Sequence, residues 1–203
     1  MDPQATYLSL MLTIRERFDA IEDLRKASSH SFSRAEAAAF HGRKIVEGIA
    51  FACLVAIDNG LKQVPRKAKG QWNAKTIFES LKPKGLSVLP SPSLIRQATP
   101  EEQSENDVSA IIEGIPDRRL THDDLISIYQ ALHPWLHEVN PYVHADHAGF
   151  LTEKTSRLWD DLAKLRLCME RHFISIGGKA FFCVLWDSND QQTKVVSLSK
   201  DAA

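Results

Sequence analysis

Histidines and arginines are the residues of this sequence best suited to acid–base and anion chemistry. Four of the eight histidines fall within one short stretch: His133, His137, His144 and His147. His133 and His137 are four residues apart, so they could share a metal ion on one helix face. Pro134 lies between them, and no glutamate does, so the zinc-peptidase helix motif is absent. Ordinary surface or loop histidines are the alternative to a metal site.

A second set of candidate residues lies on one long predicted helix, over 33–60. Ser33 and Glu36 have capping-box spacing, and Gly60 suits the residue just past the helix end. From Ile49 to Ile57 every residue is apolar, so this half must be surrounded by other elements. The pattern predicts a central buried helix around which the other elements pack.

The first half of this helix carries two polar stripes. At about 100° per residue, Arg43 and Glu47 fall on one side, and Arg34 and His41 fall nearly opposite. Two interpretations stay open. Arg43 and Glu47 form an ordinary i,i+4 pair while Arg34 and His41 cover a core edge, or these side chains line a polar pocket on a rigid helix.

The remaining elements are mostly helical in pattern. Helices are predicted over 4–27, over 74–81 with Asn73 as its cap, from Thr121, and from Thr152 to Arg171. Pro134 should bend or restart the helix that Thr121 opens. Prolines make 83–100 a predicted loop. Three β-rich runs close the chain. We therefore expect a mainly α fold, a helical bundle around 33–60, with a small C-terminal antiparallel β-hairpin or three-stranded sheet.

Composition restricts the class of protein but selects no activity. The chain has 203 residues, 43% hydrophobic content and a net charge of −1, so no global charge attracts nucleic acid. The sequence has no membrane-spanning pattern and no convincing signal peptide. The three cysteines, Cys53, Cys168 and Cys183, suggest no disulfide framework. We therefore expect a cytoplasmic protein without a membrane partner.

Charge is nevertheless distributed unevenly along the chain. Residues 61–84 are basic and include Trp72, a combination that could follow a phosphate backbone and stack a base. Residues 101–117 are acidic. The alternative is a solvated basic loop balanced by this acidic stretch.

Several short stretches of the sequence carry one set of residues: Phe32-Ser33-Arg34, Glu36, His41, Arg43-Lys44, Glu47, Trp72-Asn73-Ala74-Lys75, Leu120-Thr121, His137 and Asn140-Pro141-Tyr142. Together they resemble an uncharacterised bacterial family of helical proteins that is similar in layout to the HEPN superfamily, whose nucleases and toxins use an Arg-x(4–6)-His motif. Six residues separate Arg34 from His41, which fits that motif at its long end. The resemblance covers about residues 32–198.

The resemblance implies a single HEPN-like domain over 1–203, with a β appendage at about 172–198. It implies a homodimer and either metal-independent cleavage of RNA or a nucleotide-handling relic of that activity, in a defence or toxin–antitoxin setting. His41 or His137 would be the base, and Arg34 and Arg43 would stabilise charge on the phosphate. Substrate contacts would come from Lys44, Glu47, Trp72, Lys75, Asn140 and the basic 62–69 loop.

Two other classes of function stay open. The protein could be a non-enzymatic module that binds a protein or nucleic acid through its basic 61–84 and acidic 101–117 faces. It could instead be a histidine-rich metal-binding protein. The sequence contains no P-loop, dinucleotide-binding glycine motif or Ser-His-Asp signature, and we expect no cofactor.

Overall fold

The computed structural model describes residues 2–26, 31–60, 63–68, 70–82, 88–137 and 147–199. Helices and the strands of one antiparallel sheet are interspersed along the chain. The helices are α1 Pro3–Lys26, α2 Phe32–Asn59, α3 Ala74–Leu81, α4 Pro100–Asn106, α5 His122–Leu132 and α6 His147–Met169. The strands are β1 Ser91–Gln97, β2 Ala110–Gly114, β3 Arg171–Ile176, β4 Lys179–Val184 and β5 Lys194–Ser199.

Helix α2 is the central element, as the sequence predicts. It contacts α1 most extensively, and it also touches α3, α5, α6, β3 and β4. Met11, Ile14 and Phe18 of α1 are fully enclosed at the core. Gly48 lets the two helices approach closely, because a Cβ there would lie 3.0 Å from the Ile14 Cγ1. The apolar second half of α2 is therefore buried by elements on several sides.

Both predicted end signals of α2 are wrong in detail. The helix begins at Phe32 with Ser31 as its N-cap, and the Ser31 side chain makes no capping hydrogen bond. Gly60 follows the last turn with a φ of −77°, so its place does not require the left-handed region. Packing explains the residue instead. A Cβ on Gly60 would lie 2.5 Å from the Ile176 carbonyl oxygen, and one on Gly177 would lie 2.9 Å from the Gly60 oxygen.

The sheet corrects the predicted fold class. Three C-terminal strands form where they were expected, but they belong to a five-stranded antiparallel sheet of order β2-β1-β3-β4-β5. The prediction of a small C-terminal hairpin or three-stranded appendage is therefore wrong, and the fold is mixed α and β. The other two strands come from the predicted loop at 83–100 and the acidic stretch at 101–117. Pro92 lies before the first β1–β2 pair, Ser93–Gly114, so its missing N–H interrupts no bond inside that ladder, and its carbonyl accepts from Ile115 N–H at 2.8 Å.

Most local signals along the helices are confirmed. Asn73 caps α3, accepting from Thr76 N–H at 3.3 Å. Thr121 and Asp124 form a complete capping box on α5. That helix ends at Leu132, and a 3₁₀ turn follows over His133–Leu136, as Pro134 predicts. Helix α6 begins at His147, earlier than the predicted cap at Thr152. In the part of the chain that the structure describes, no helix is both long and apolar enough to cross a membrane.

One polar pair lies in the middle of the core. The Tyr7 hydroxyl and the His172 Nε2 are 2.7 Å apart, and the His172 Nδ1 lies 3.0 Å from the Met169 carbonyl. Because a carbonyl can only accept, Nδ1 carries the proton and Nε2 accepts from Tyr7. Burial lowers the pKa of His172 to about 4, so this imidazole is neutral at physiological pH.

Candidate active site

Arg43 is the centre of a polar cluster where α2 meets α5. Its NH2 donates to the Tyr129 hydroxyl at 2.6 Å, and its NH1 lies 3.4 Å from the His133 Nδ1. Its Nε lies 3.5 Å from a Glu47 carboxylate oxygen. The guanidinium also covers the Tyr129 ring, 4.0 Å from the ring centre. All its nitrogens are therefore engaged, which holds the side chain in one orientation.

Glu47 is the buried anion of this cluster. The residue is 7% exposed, and its carboxylate receives Lys44 Nζ at 2.7 Å and the Tyr129 hydroxyl at 3.3 Å. Arg43 and Lys44 thus share one carboxylate. The three side chains together keep one net positive charge, because the second cation is not neutralised within the cluster. Lys44 is the more exposed of the two cations.

Tyr129 joins α5 to both α2 and α3. Burial raises the pKa of Tyr129, and the Glu47 carboxylate acts in the same direction, so the phenol stays protonated. The Arg43 charge and the backbone N–H of Ala74 lower that pKa but do not outweigh burial. Ala74 is the first residue of α3. The Trp72–Lys75 stretch therefore begins beside the cluster, although it is distant from Arg43 along the chain.

Two exposed histidines form the outer rim of the cluster. The His133 and His137 rings meet edge to face with their centres 4.7 Å apart. Arg43 can only donate, so in its contact the His133 Nδ1 is the acceptor and Nε2 carries the proton. Within the described ranges, no group of three or more His, Cys, Asp or Glu side chains could hold a metal ion. The predicted His144 lies outside the described residues.

Arg34 and His41 occupy a different side of α2. The His41 Nδ1 lies 3.5 Å from the Arg17 NH1 of α1, whereas Arg43 contacts α5. Partial burial and the Arg17 charge lower the pKa of His41. Arg34 is half-buried in the first turn of α2. The four predicted catalytic residues are therefore not gathered into one cluster: Arg43 and His137 are linked through His133, and His41 lies on another side of α2.

The predicted substrate-binding residues have varied surroundings. Trp72 is 69% exposed and Lys75 is partly exposed, with Nζ 3.8 Å from Glu79. Both precede or open α3 beside the Arg43 cluster. Asn140 lies outside the described residues. Lys44 and Glu47 are in the cluster itself, where Glu47 holds the two cations and is too enclosed to be a primary substrate contact.

Tyr129 is the residue of this site that sequence reasoning missed. The helical periodicity of α5 puts Tyr129 on the inward face of the helix, and its ring is buried there. A signal was available, because a buried tyrosine usually needs a partner for its hydroxyl. An unmatched inward tyrosine and an inward Arg–Glu pair on another helix are natural partners. Sequence spacing alone does not bring them together, since 82 residues separate Glu47 from Tyr129.

Comparison with known proteins gives no relative for this chain. Neither the protein-family models nor the curated proteins and solved structures contain a significant match.

Proposed function

We propose that the chain cleaves RNA without a metal ion, at the exposed rim formed by His133 and His137 beside the largely enclosed Arg43. One observation carries the proposal. Arg43 links the buried Glu47 and Tyr129 to His133, whose ring touches His137. This arrangement gives two imidazoles that water can reach and a fixed positive charge beside them. Both are needed to move a proton and to stabilise a phosphate in its transition state.

The chemistry would be an intramolecular transfer within the RNA backbone. The neutral His137 imidazole takes the proton of the ribose 2′-hydroxyl, and the resulting oxygen attacks the adjacent phosphorus. The bond to the 5′-oxygen breaks, and that oxygen takes a proton from solvent. The products are a 2′,3′-cyclic phosphate and a 5′-hydroxyl. Arg43 and the Nε2–H of His133 would stabilise the negative charge that develops on the phosphate.

Binding would extend from this rim towards α3. Trp72 offers an exposed indole on which an unpaired base could stack. Lys44 and Lys75 would contact the phosphates on either side. Glu47 and Tyr129 would act through Arg43, because both are buried and each holds its guanidinium.

A cleavage assay on total RNA with EDTA present tests the proposal. Wild type is compared with His137→Ala and His133→Ala, whose side chains are exposed, so that the fold should tolerate truncation. We expect His137→Ala to reduce the rate at least 100-fold, the scale of general-base catalysis. His133→Ala should cause a smaller loss. The cyclic phosphate terminus is read by its resistance to 3′-end ligation, which persists after phosphatase alone and is lifted when acid opens the ring before the phosphatase removes the phosphate.

His41→Ala is the matched control, since this histidine lies on α2, as Arg43 does, but on the side that packs against α1. It should cleave at the wild-type rate. Cleavage lost in His41→Ala and kept in His137→Ala would instead support the Arg34–His41 pair as the catalytic group. If the wild type cleaves no RNA, the nuclease proposal fails.

A further inference from the structure

A groove between α1 and α6 has an apolar floor and a volume of about 320 Å³. Phe18 and Ile21 of α1 and Leu162 of α6 form the floor, and all three are buried. Trp159 and Leu167 of α6 line the side, and Leu167 is 43% exposed. Ligand sites in proteins have volumes of roughly 300–1,000 Å³ and are lined mainly by apolar and aromatic side chains. The α1–α6 groove therefore has the size and the lining of a site for a small apolar group.

The rim of this groove is positively charged. The Glu22 carboxylate lies 3.3 Å from the Arg25 NH2 and 3.2 Å from the Arg166 NH1, and all three side chains line the groove. Lys26 Nζ, one residue after Arg25 on α1, lies 3.7 Å from that carboxylate. Three cations thus share one carboxylate, which leaves the rim with a net charge of +2.

The other acidic residues near the rim on α1 do not cancel this charge. Asp19 lies about one turn before Glu22, and it is already paired with Arg15, whose Nε is 3.5 Å away. Asp23 lies about 160° around the helix from Arg25, because each residue turns the helix by about 100°. Asp19 and Arg15 are neutral as a pair, and Asp23 is directed away from the groove.

The acidic residues near the rim on α6 and the sheet do not line the groove either. Asp160 lines a separate groove between α5 and α6, and Glu170 is paired with Arg118 at 3.5 Å. The turn after β4 contains two carboxylates that share one lysine: Asp187, Asp190 and Lys194. That turn keeps one net negative charge, which is smaller than the charge of +2 at the rim. The α1–α6 groove is therefore positive overall and suits an anion.

Trp186 fixes the orientation of Arg166 before any ligand binds. The Arg166 Cζ lies 4.9 Å from the centre of the Trp186 ring, and the Trp186 indole N–H donates to Asp19 at 3.0 Å. Arg25 and Arg166 each contact Glu22 through one terminal nitrogen. Among the described residues, their other guanidinium N–H groups have no acceptor. Each arginine can therefore donate to a further oxygen without losing Glu22.

We propose that the α1–α6 groove binds a small carboxylic acid in its ionised form, with a short alkyl chain or one ring as its apolar body. The apolar body lies on Phe18, Ile21 and Leu162, and the carboxylate accepts hydrogen bonds from Arg25 and Arg166. A carboxylate fits this rim because the planar guanidinium group matches its two oxygens. The body is small because the volume of the groove is near the lower limit for ligand sites. This inference does not depend on the proposed RNA cleavage, whose residues lie where α2 meets α5.

NMR titration of the ¹⁵N-labelled full chain with sodium octanoate near neutral pH tests the proposal. The indole N–H signal of Trp159, identified by its loss in Trp159→Phe, should shift and saturate. A ligand of this size should bind with a Kd on the order of 0.1–1 mM. Acetate lacks the apolar body and octanol lacks the charge, so each should bind at least about 10-fold more weakly than octanoate.

Removing one guanidinium charge separates the two parts of the site. Arg25→Gln and Arg166→Gln should each weaken octanoate binding about 10-fold and leave octanol binding unchanged, which also shows that the groove is folded. Arg25 is exposed, so Arg25→Gln should retain the fold even if Arg166→Gln does not. Ala163→Phe places a ring in the groove from an exposed position and should block both ligands.

Arg157→Gln is the matched control. It removes the same charge from an exposed position on α6, but Arg157 lines the groove between α5 and α6. This variant should bind octanoate as the wild type does. Three results would overturn the proposal: no saturating shift with octanoate at about ten times the expected Kd, octanol binding as tight as octanoate binding, or equal losses in Arg157→Gln and Arg166→Gln.

Discussion

The two buried tyrosines Tyr7 and Tyr129 both need a hydrogen-bond partner for the hydroxyl, and they find partners of opposite kinds, one neutral and one charged. Tyr7 is sealed in the core and pairs with a neutral imidazole, at 2.7 Å from His172. Tyr129 lies between an arginine and a carboxylate whose cluster reaches the surface through Lys44 and His133. Burying a polar group completely costs less free energy when the group is uncharged. Charged groups are tolerated where part of their cluster is exposed to water. The second arrangement leaves charge available for chemistry, and the first leaves none.

Removing the anion should have the largest effect on stability. Glu47→Ala leaves Arg43 and Tyr129 partly enclosed without their acceptor, and we expect the free energy of unfolding to fall by about 4 kcal/mol. Urea denaturation measures it. The matched control is Glu79→Ala, which removes an exposed i,i+4 pair with Lys75 and should cost about 0.4 kcal/mol. Equal losses in the two variants would show that the cluster at α2 and α5 is as dispensable as a surface pair.

Lowering the pH should have the second largest effect on stability, because it weakens the buried Tyr7–His172 pair. His172 has a folded pKa of about 4 against a usual value of 6.5, so the unfolded chain takes up its proton first as the pH falls. The contribution of His172 to the free energy of unfolding is fully present above pH 6.5. It decreases as the pH falls from 6.5 to 4 and stays constant at lower pH. The loss should reach about 3 kcal/mol.

His172→Asn isolates this contribution, because His41 and His122 also have lowered pKa values and act in the same direction. The free energy of unfolding is followed by urea denaturation at several pH values between 7 and 4. The variant should lose stability less steeply than wild type over this interval. Parallel pH profiles for the two proteins would remove His172 as the cause.

Deleting each tyrosine hydroxyl makes the comparison directly and should give the smallest effects. Tyr7→Phe leaves the His172 Nε2 buried without a donor and should cost about 2 kcal/mol. Tyr129→Phe leaves Arg43 with Glu47 and His133, so the loss should be about 1 kcal/mol. Thermal and urea unfolding of both variants give the order. A larger loss of unfolding free energy in Tyr129→Phe than in Tyr7→Phe would contradict this prediction, because it would show that the Tyr129 hydroxyl contributes more to stability.

The parts of the fold that depend on neighbouring residues were predictable. Helical periodicity located α1 and α2 almost to the residue, and the Thr121 and Asn73 caps act as their spacing implies. Strand β1 was hidden because Pro90 precedes it and Pro92 lies within it, and β2 because acidic residues surround its short apolar core. Both strands are stabilised by pairing with each other, which no local pattern records.

The candidate site was predicted in pieces. The Arg43–Glu47 pair follows from i,i+4 spacing, and the His133–His137 contact from the same spacing across Pro134. The packing of α5 against α2 brings these two pairs together, with the Tyr129 hydroxyl of α5 in contact with both Arg43 and Glu47. The position of His41 against Arg17 likewise depends on how α1 packs on α2, a long-range outcome that helix-face arithmetic on α2 alone does not give.

Gly60 and Gly177 have a consequence for how the molecule comes apart. They bring the end of α2 and the turn between β3 and β4 into backbone contact, with no side chain between them to act as a flexible spacer. A displacement of the β3–β4 turn should therefore move the end of α2 directly, because no flexible side chain lies between them. We expect amide protons at the end of α2 and along β3 to exchange with solvent at matched rates, since the helical layer and the sheet open as one cooperative unit.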